Sequence, residues 1–192
     1  MRLFEIFKKK KGIALFPLVK SIFNNYEPWM DEAFFPLVSI PLSTIRKEWT
    51  GKIHILYFNE DPYNQEATDS YNDYCSLEMI SFSVQRNKYT FLGTPEYFLL
   101  NDDWKEWHDR TKKSYQELKT KTSSKNEIIK HFKIGGEPEW LQNDARPYLD
   151  DEPMDFVLQY SSGDFFNDMC FTENYVFYSE KHQMVVYKCQ ID

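Results

Sequence analysis

Two stretches of this chain gather side chains from which a binding chemistry could be built. Residues 59–73, NEDPYNQEATDSYND, hold Glu60, Asp61, Glu66, Asp69 and Asp73 with no basic residue, and interleave Tyr63 and Tyr71 with Asn, Ser and Gln. Tyrosine among small polar residues suits protein recognition, because the ring covers a large area and loses little rotational freedom. Residues 143–155, NDARPYLDDEPMD, set Asp144, Asp150, Asp151, Glu152 and Asp155 against the single Arg146. Pro147 and Pro153 are expected to hold that stretch extended. Both stretches would attract a basic protein and speed its approach. The first lacks the carboxylate spacing and glycine of a calcium loop.

The remaining reactive side chains form no local signature. His54, His108, His131 and His182 fall in no HxH or HExxH pair, and Cys75, Cys170 and Cys189 are odd in number with no CxxC. A disulfide framework or zinc cluster is not expected, and reduced cysteines fit a cytoplasmic protein. The chain has no P-loop, GxSxG or dinucleotide fingerprint, and only 6 glycines. No cofactor, no metal and no catalytic residue are therefore assigned. The alternative is a small-molecule binder or enzyme, with a pocket lined by Trp104, Trp107 and Trp140 and a ligand oriented by Gln142 or Gln159.

Charge narrows the partner class. The net charge is −7 over 192 residues. Residues 1–132 carry 19 Lys and Arg against 18 Asp and Glu, whereas residues 133–192 carry 4 against 12. So acidic a last third repels phosphate, and no nucleic-acid partner is expected. The start, MRLFEIFKKKKGIALFPLVK, has a basic run before an apolar one, but Pro17 and Lys20 cut the apolar run short, so secretion is not expected. No stretch approaches the length of a membrane span. Leu3, Phe4, Ile6 and Phe7 beside Lys8 to Lys11 leave open a membrane-surface anchor, the plainer reading being a first helix with a basic end.

The elements that must position these residues follow from periodicity. An 18% aromatic content and 42% hydrophobic content supply a core for one domain. A short helix is expected over residues 15–25, with Pro17 in its first turn. FFPLVSI, with its internal Pro36, reads as an edge strand or extended segment. Lys52 to Phe58 reads as a buried strand, and residues 59–73 as the long loop after it. A hairpin follows with its turn at Arg86–Asn87–Lys88. A long helix begins at Asn101 or Asp102, with Trp104, Trp107, His108, Thr111, Tyr115 and Leu118 on one face. Ser124 and Glu127 resemble a capping box for a second, short helix. DFVLQY is a strand, and Val176–Tyr178 and Met184–Cys189 are the arms of a last hairpin. Helices and strands do not alternate as βαβ units, so the fold class is α+β with a largely antiparallel sheet.

Between the helices and the last strands lies KIGGEPEWLQND, residues 133–144. Gly135 and Gly136 allow positive φ, Pro138 fixes the next turn, and Trp140 can fold back on the core while Gln142 satisfies local backbone groups. The stretch reads as a structural corner beside an acidic edge. The succession I-G-G-x-P-x-W-x-Q, then an apolar strand ending in Gln159 (FVLQ), then a C-terminal aromatic strand, resembles the YwqG-like family. The resemblance implies a single bacterial, cytoplasmic α+β domain over residues 1–192; the molecular function of that family is not established. Many of its members carry cysteines between the W-x-Q segment and the apolar strand. This chain has none there, so a metal role does not carry over. The functional expectation is a protein-binding module, such as an immunity protein that neutralises a basic toxin through its acidic, Tyr-rich loops. Whether those loops share one face is left open by the sequence, as is the oligomeric state.

Overall fold

The computed structural model describes residues 12–166 and 172–191. The basic start, Leu3 to Lys11, and Cys170 lie outside the described residues. In chain order the elements are β1 (Ala14–Leu15), α1 (Val19–Ile22), α2 (Met30–Ala33), β2 (Phe35–Pro41), β3 (Lys52–Tyr57), α3 (Gln65–Asp69), β4 (Met79–Gln85) and β5 (Lys88–Phe91). Then come α4 (Asp102–Lys121), α5 (Lys125–Ile129), β6 (Lys133–Ile134), β7 (Tyr148–Leu149), β8 (Glu152–Pro153), β9 (Asp155–Ser161), β10 (Thr172–Ser179) and β11 (Met184–Ile191). The fold is α+β, and its paired strands are antiparallel.

One sheet has the order β1-β2-β3 and a larger one the order β5-β4-β11-β10-β9-β6. Side chains alternate across the larger sheet, as extended backbone requires, except at the β9–β10 register shift, where Val157 and Leu158 both enter the main core. Val157, Tyr160, Val176, Tyr178, Val185 and Tyr187 join the main core with the smaller sheet, whereas Phe156, Tyr175, Phe177 and Val186 form a second cluster on the other face. Tyrosine hydroxyls join the two sheets. The Tyr89 hydroxyl accepts from His54 N and donates to His54 O, both at 2.9 Å. The Tyr187 hydroxyl donates to His54 O at 2.6 Å and accepts from Leu56 N at 3.2 Å, and that of Tyr160 donates to Leu56 O. These backbone groups point away from β2, so phenols satisfy an edge that has no further strand.

Two local expectations near the start of the chain are corrected. The first helix is one turn, Val19–Ile22, because Ala14–Leu15 pairs with β2 instead. The strand holding Pro36 is internal. It tolerates proline because β1 covers only Val38 and Ser39, and the register with β3 shifts between Pro36 and Val38. On α4 the buried residues are Thr111 and Tyr115, with the Tyr115 hydroxyl donating to Pro36 O at 2.7 Å. Trp104 and Trp107 are only half-buried. The capping box does not form as expected: the Ser124 side chain caps no backbone group, and Glu127 accepts from Ser123 N at 3.0 Å instead.

Candidate functional site

Where β3 ends, the chain turns through Asn59, Glu60, Asp61 and Pro62 and meets the first turns of α4. Asp61 is fully buried. One of its carboxylate oxygens accepts from Tyr63 N at 2.9 Å and the other from Asn101 N at 2.7 Å. This carboxylate ties the turn to the start of α4 and so positions Trp104 and Trp107. Residues 59–73 are thus not one long loop. Asn64 caps α3 by accepting from Ala67 N at 3.1 Å, and the α3 turn packs beside Tyr97.

The result is a cleft of about 70 Å³. Its walls are Tyr57 at the end of β3 and Phe58 just after it, Trp104 and Trp107 from α4, and Thr172, Asn174, Cys189 and Ile191 from the ends of β10 and β11. The two indoles lie 4.9 Å apart at 58°, and Tyr63 stands 6.4 Å from Trp104 at the rim. Glu60 lies at the cleft. It accepts a hydrogen bond from the Tyr97 hydroxyl and one from Glu78 N at 2.9 Å, with Cys189 Sγ 3.9 Å from Oε1. Burial raises the Glu60 pKa, against the pull of those two donors. Burial and the nearby Glu60 together push the Cys189 thiol up. Burial, with Glu60 next, lifts the Tyr71 phenol to about 12.

Asn59 separates this cleft from a neighbouring hollow of about 290 Å³ lined by Trp29, Glu32, Phe98 and His108. The Asn59 amide nitrogen lies 3.2 Å from His108 Nδ1, and burial lowers the His108 pKa. Among the described residues no group of three His, Cys, Asp or Glu gathers as a metal site.

The predicted site residues therefore separate. Asp61 is buried and structural, whereas Glu60 lines the cleft. Tyr71 is half-buried, with its ring 5.7 Å from Tyr97. Tyr63 is 80% exposed, and Asp69 and Asp73 are exposed beside it in sequence with Tyr74 and Leu77. The second acidic stretch is not held extended. Asp150 and Asp151 take φ of 49° and 61° at the tip of the β7–β8 hairpin, a turn whose backbone favours Asn and Gly. There Glu152 pairs with Lys181 at 3.1 Å, Asp150 lies 3.5 Å from His182, and Asp155 pairs with Arg46. Asp144 is exposed and accepts from Arg146 N at 2.9 Å. The hairpin meets the β10–β11 turn, while Glu60 meets Cys189 near the other end of β11. From Met184 to Cys189 extended backbone covers roughly 17 Å. The β7–β8 hairpin and Glu60 thus lie at opposite ends of β11, while the second stretch begins at Asn143 beside Gln190, near the Glu60 end.

Trp140 is not part of the cleft. It stacks on the outer cluster, 4.6 Å from Tyr175 and 5.9 Å from Phe177. Gln159 and Gln142 do not face Trp104 either. Gln159 accepts from Glu139 N at 2.7 Å, and Gln142 donates to Ile191 O at 2.7 Å. Gln190 completes the corner by accepting from Leu141 N and Gln142 N, each at 3.0 Å, and donating to Asn143 O at 2.7 Å. Gly135 and Gly136 have φ of 68° and 79° with open space around them, so the backbone angle alone demands glycine.

Sequence reasoning missed Tyr97, Asn59 and Cys189 as neighbours of Glu60. Only the run of aromatic residues into NED, at the end of β3, hinted that those acids start from inside the core. Among the described residues no helix is long and apolar enough to cross a membrane. Comparison of the chain with protein families, curated proteins and solved structures finds no match.

Proposed function

We propose that this protein is a binding module for a basic partner, engaged through residues 60–77 and the cleft beside them. One observation carries the reading: Tyr63, 80% exposed, stands against Trp104 at the mouth of an aromatic cleft that holds a carboxylate. Exposed Asp69 and Asp73 would steer a basic surface, and the half-buried rings would hold it. A basic toxin restrained by an immunity protein is a partner of this chemistry. The β7–β8 hairpin is given no part, because Glu152 and the following Asp155 already pair with Lys181 and Arg46. We carry kinship with the YwqG-like family, and a cytoplasmic setting, as part of the same proposal. The support is the I-G-G-x-P-x-W-x-Q corner, in which Trp140 and Gln142 seal one face of the sheet.

The test is affinity capture from native lysate at low salt with the wild type, Asp69→Lys/Asp73→Lys and Asp151→Lys. A stoichiometric basic protein held by the wild type and Asp151→Lys, and weakened roughly tenfold by the double reversal, supports the proposal. Capture indifferent to the double reversal, or no basic protein captured, overturns it. A second reading, a small-molecule binder or enzyme, draws on the same cleft, since half-buried tryptophans converge there with a polar group.

A further inference from the structure

We propose that the cleft is an acceptor for a single organic cation, an alkylammonium or guanidinium group, with Glu60 as its counter-charge and Trp104 and Trp107 as its aromatic walls. The inference deepens the binding reading above and rests on it.

The first argument is chemical. Glu60 receives hydrogen bonds from the Tyr97 hydroxyl, from Glu78 N and, at 3.9 Å, from the Cys189 thiol, and all three donors are neutral. Oε2, which takes only the Tyr97 bond, keeps a further acceptor site, since an ionised carboxyl group offers about four. Among the described residues no Lys, Arg or His nitrogen comes within 4.0 Å of Glu60, and Lys188 acts on it only from further away. A buried carboxylate is costly without a cation, and a ligand that supplies one regains that cost on binding.

The second argument is geometric. Two indoles 4.9 Å apart at 58° form a corner, and Tyr57 and Phe58 close the space beside Glu60. Ring faces attract cations and shed the water that would compete for them. The cleft, about 70 Å³, exceeds the roughly 10–15 Å³ that one water needs and admits a compact charged group rather than a ring system. An aromatic corner without Glu60 would suit a neutral apolar group. Glu60 at a polar, open surface would suit a metal ion. Their combination selects an organic cation.

Such a cation can be a free small molecule or the end of a Lys or Arg side chain on the partner that docks at Tyr63. The experiment separates these. The full-length protein is titrated by tryptophan fluorescence and calorimetry with butylammonium, ethylguanidinium, tetramethylammonium and neutral 1-pentanol, and with an oligolysine peptide. The expected result is one-to-one binding of at least one cation or of the peptide, with 1-pentanol at least tenfold weaker. Glu60→Gln should erase that preference, and Trp107→Ala should weaken the cation about tenfold. Circular dichroism confirms that each variant is folded, and Trp107→Phe, which keeps a ring, should retain most of the binding if Glu60→Gln proves unstable. A free cation bound as tightly as the peptide identifies a small-molecule ligand. Peptide binding far tighter than the free cations, and lost in Asp69→Lys/Asp73→Lys, identifies a partner side chain. Equal binding of 1-pentanol overturns the cation assignment and leaves a neutral ligand site. Peptide binding that ignores Glu60→Gln and Trp107→Ala overturns it and leaves the docking surface. No binding of any probe overturns it outright.

Discussion

Residues 60–73 and 143–155 have similar composition, each with five acids, and the fold treats them in opposite ways. The first leaves β3 at the edge of the core. Its leading acids are drawn inward, where Asp61 accepts from two backbone N–H groups and Glu60 receives Tyr97, and only its later residues face water. The second follows the glycine corner over the outer face of the sheet. It folds into a two-residue hairpin whose acids stay exposed and find Lys181, His182 and Arg46. Acidic composition does not define an acidic surface. What matters is whether backbone donors or water reach the carboxylates first. In one stretch an aspartate builds a site, and in the other aspartates finish a turn.

The comparison breaks most readily at Asp61. Asp61→Ala leaves Tyr63 N and Asn101 N without their acceptor in a buried place, and the expected cost is about 3 kcal/mol. Asp151→Ala, at an exposed tip, should stay within about 0.5 kcal/mol. Urea unfolding of both variants checks the contrast, and equal losses would end it.

A pH series sharpens the account of the buried stretch. His54 is buried in β3 with Nε2 2.8 Å from Asn87 O and Nδ1 2.8 Å from Ser39 Oγ, and burial lowers its pKa from 6.5 to about 4. The unfolded chain takes up that proton first, so His54 contributes stability that is complete above pH 6.5 and is lost as pH falls toward about 4. The ceiling on this effect is about 3 kcal/mol. Glu60 acts with the opposite sign. Its raised folded pKa makes stability fall as pH rises from the ordinary carboxyl value of 4.5 through the shifted one. Glu60→Gln removes that opposition, so its stability should climb more steeply than the wild type's between pH 4.5 and 6.5. Denaturant midpoints at several pH values give the result, and parallel curves would contradict the burial assigned to Glu60.

The smallest effect is expected at the hairpin. Asp150→Asn with Asp151→Gly supplies the residues that positive φ favours at both turn positions and should stabilise the protein by about 0.5–1 kcal/mol, read as a rise in melting temperature. A loss would mean that the two aspartates hold something besides the turn.

Where the outcome depended on neighbours in the chain, the sequence was legible. The β4–β5 and β10–β11 hairpins and the helix at Asp102–Lys121 follow from period-two and 3.6-residue patterns together with local turn and end signals. The glycine corner is of the same kind, because φ is set residue by residue. The position of Pro36 was not legible. Whether its strand is internal depends on β1, two residues long, which pairs only up to Val38. Nor was the split of the tryptophans. Trp104 and Trp107 share a helix face, but Trp140 reaches the opposite side of the sheet through a turn of the chain that no periodicity records.

The sequence by itself determined the class of this protein: α+β, aromatic-cored and acidic in its last third. Those properties are sums and periods, and they survive any arrangement in space. Tertiary structure alone decided which acids face water and which line a cleft. Glu60 meets donors 18 and 37 residues further along the chain, and its environment is set by the β11 end more than a hundred residues away. Burial is a property of what packs over a residue, and that is written only in the folded chain.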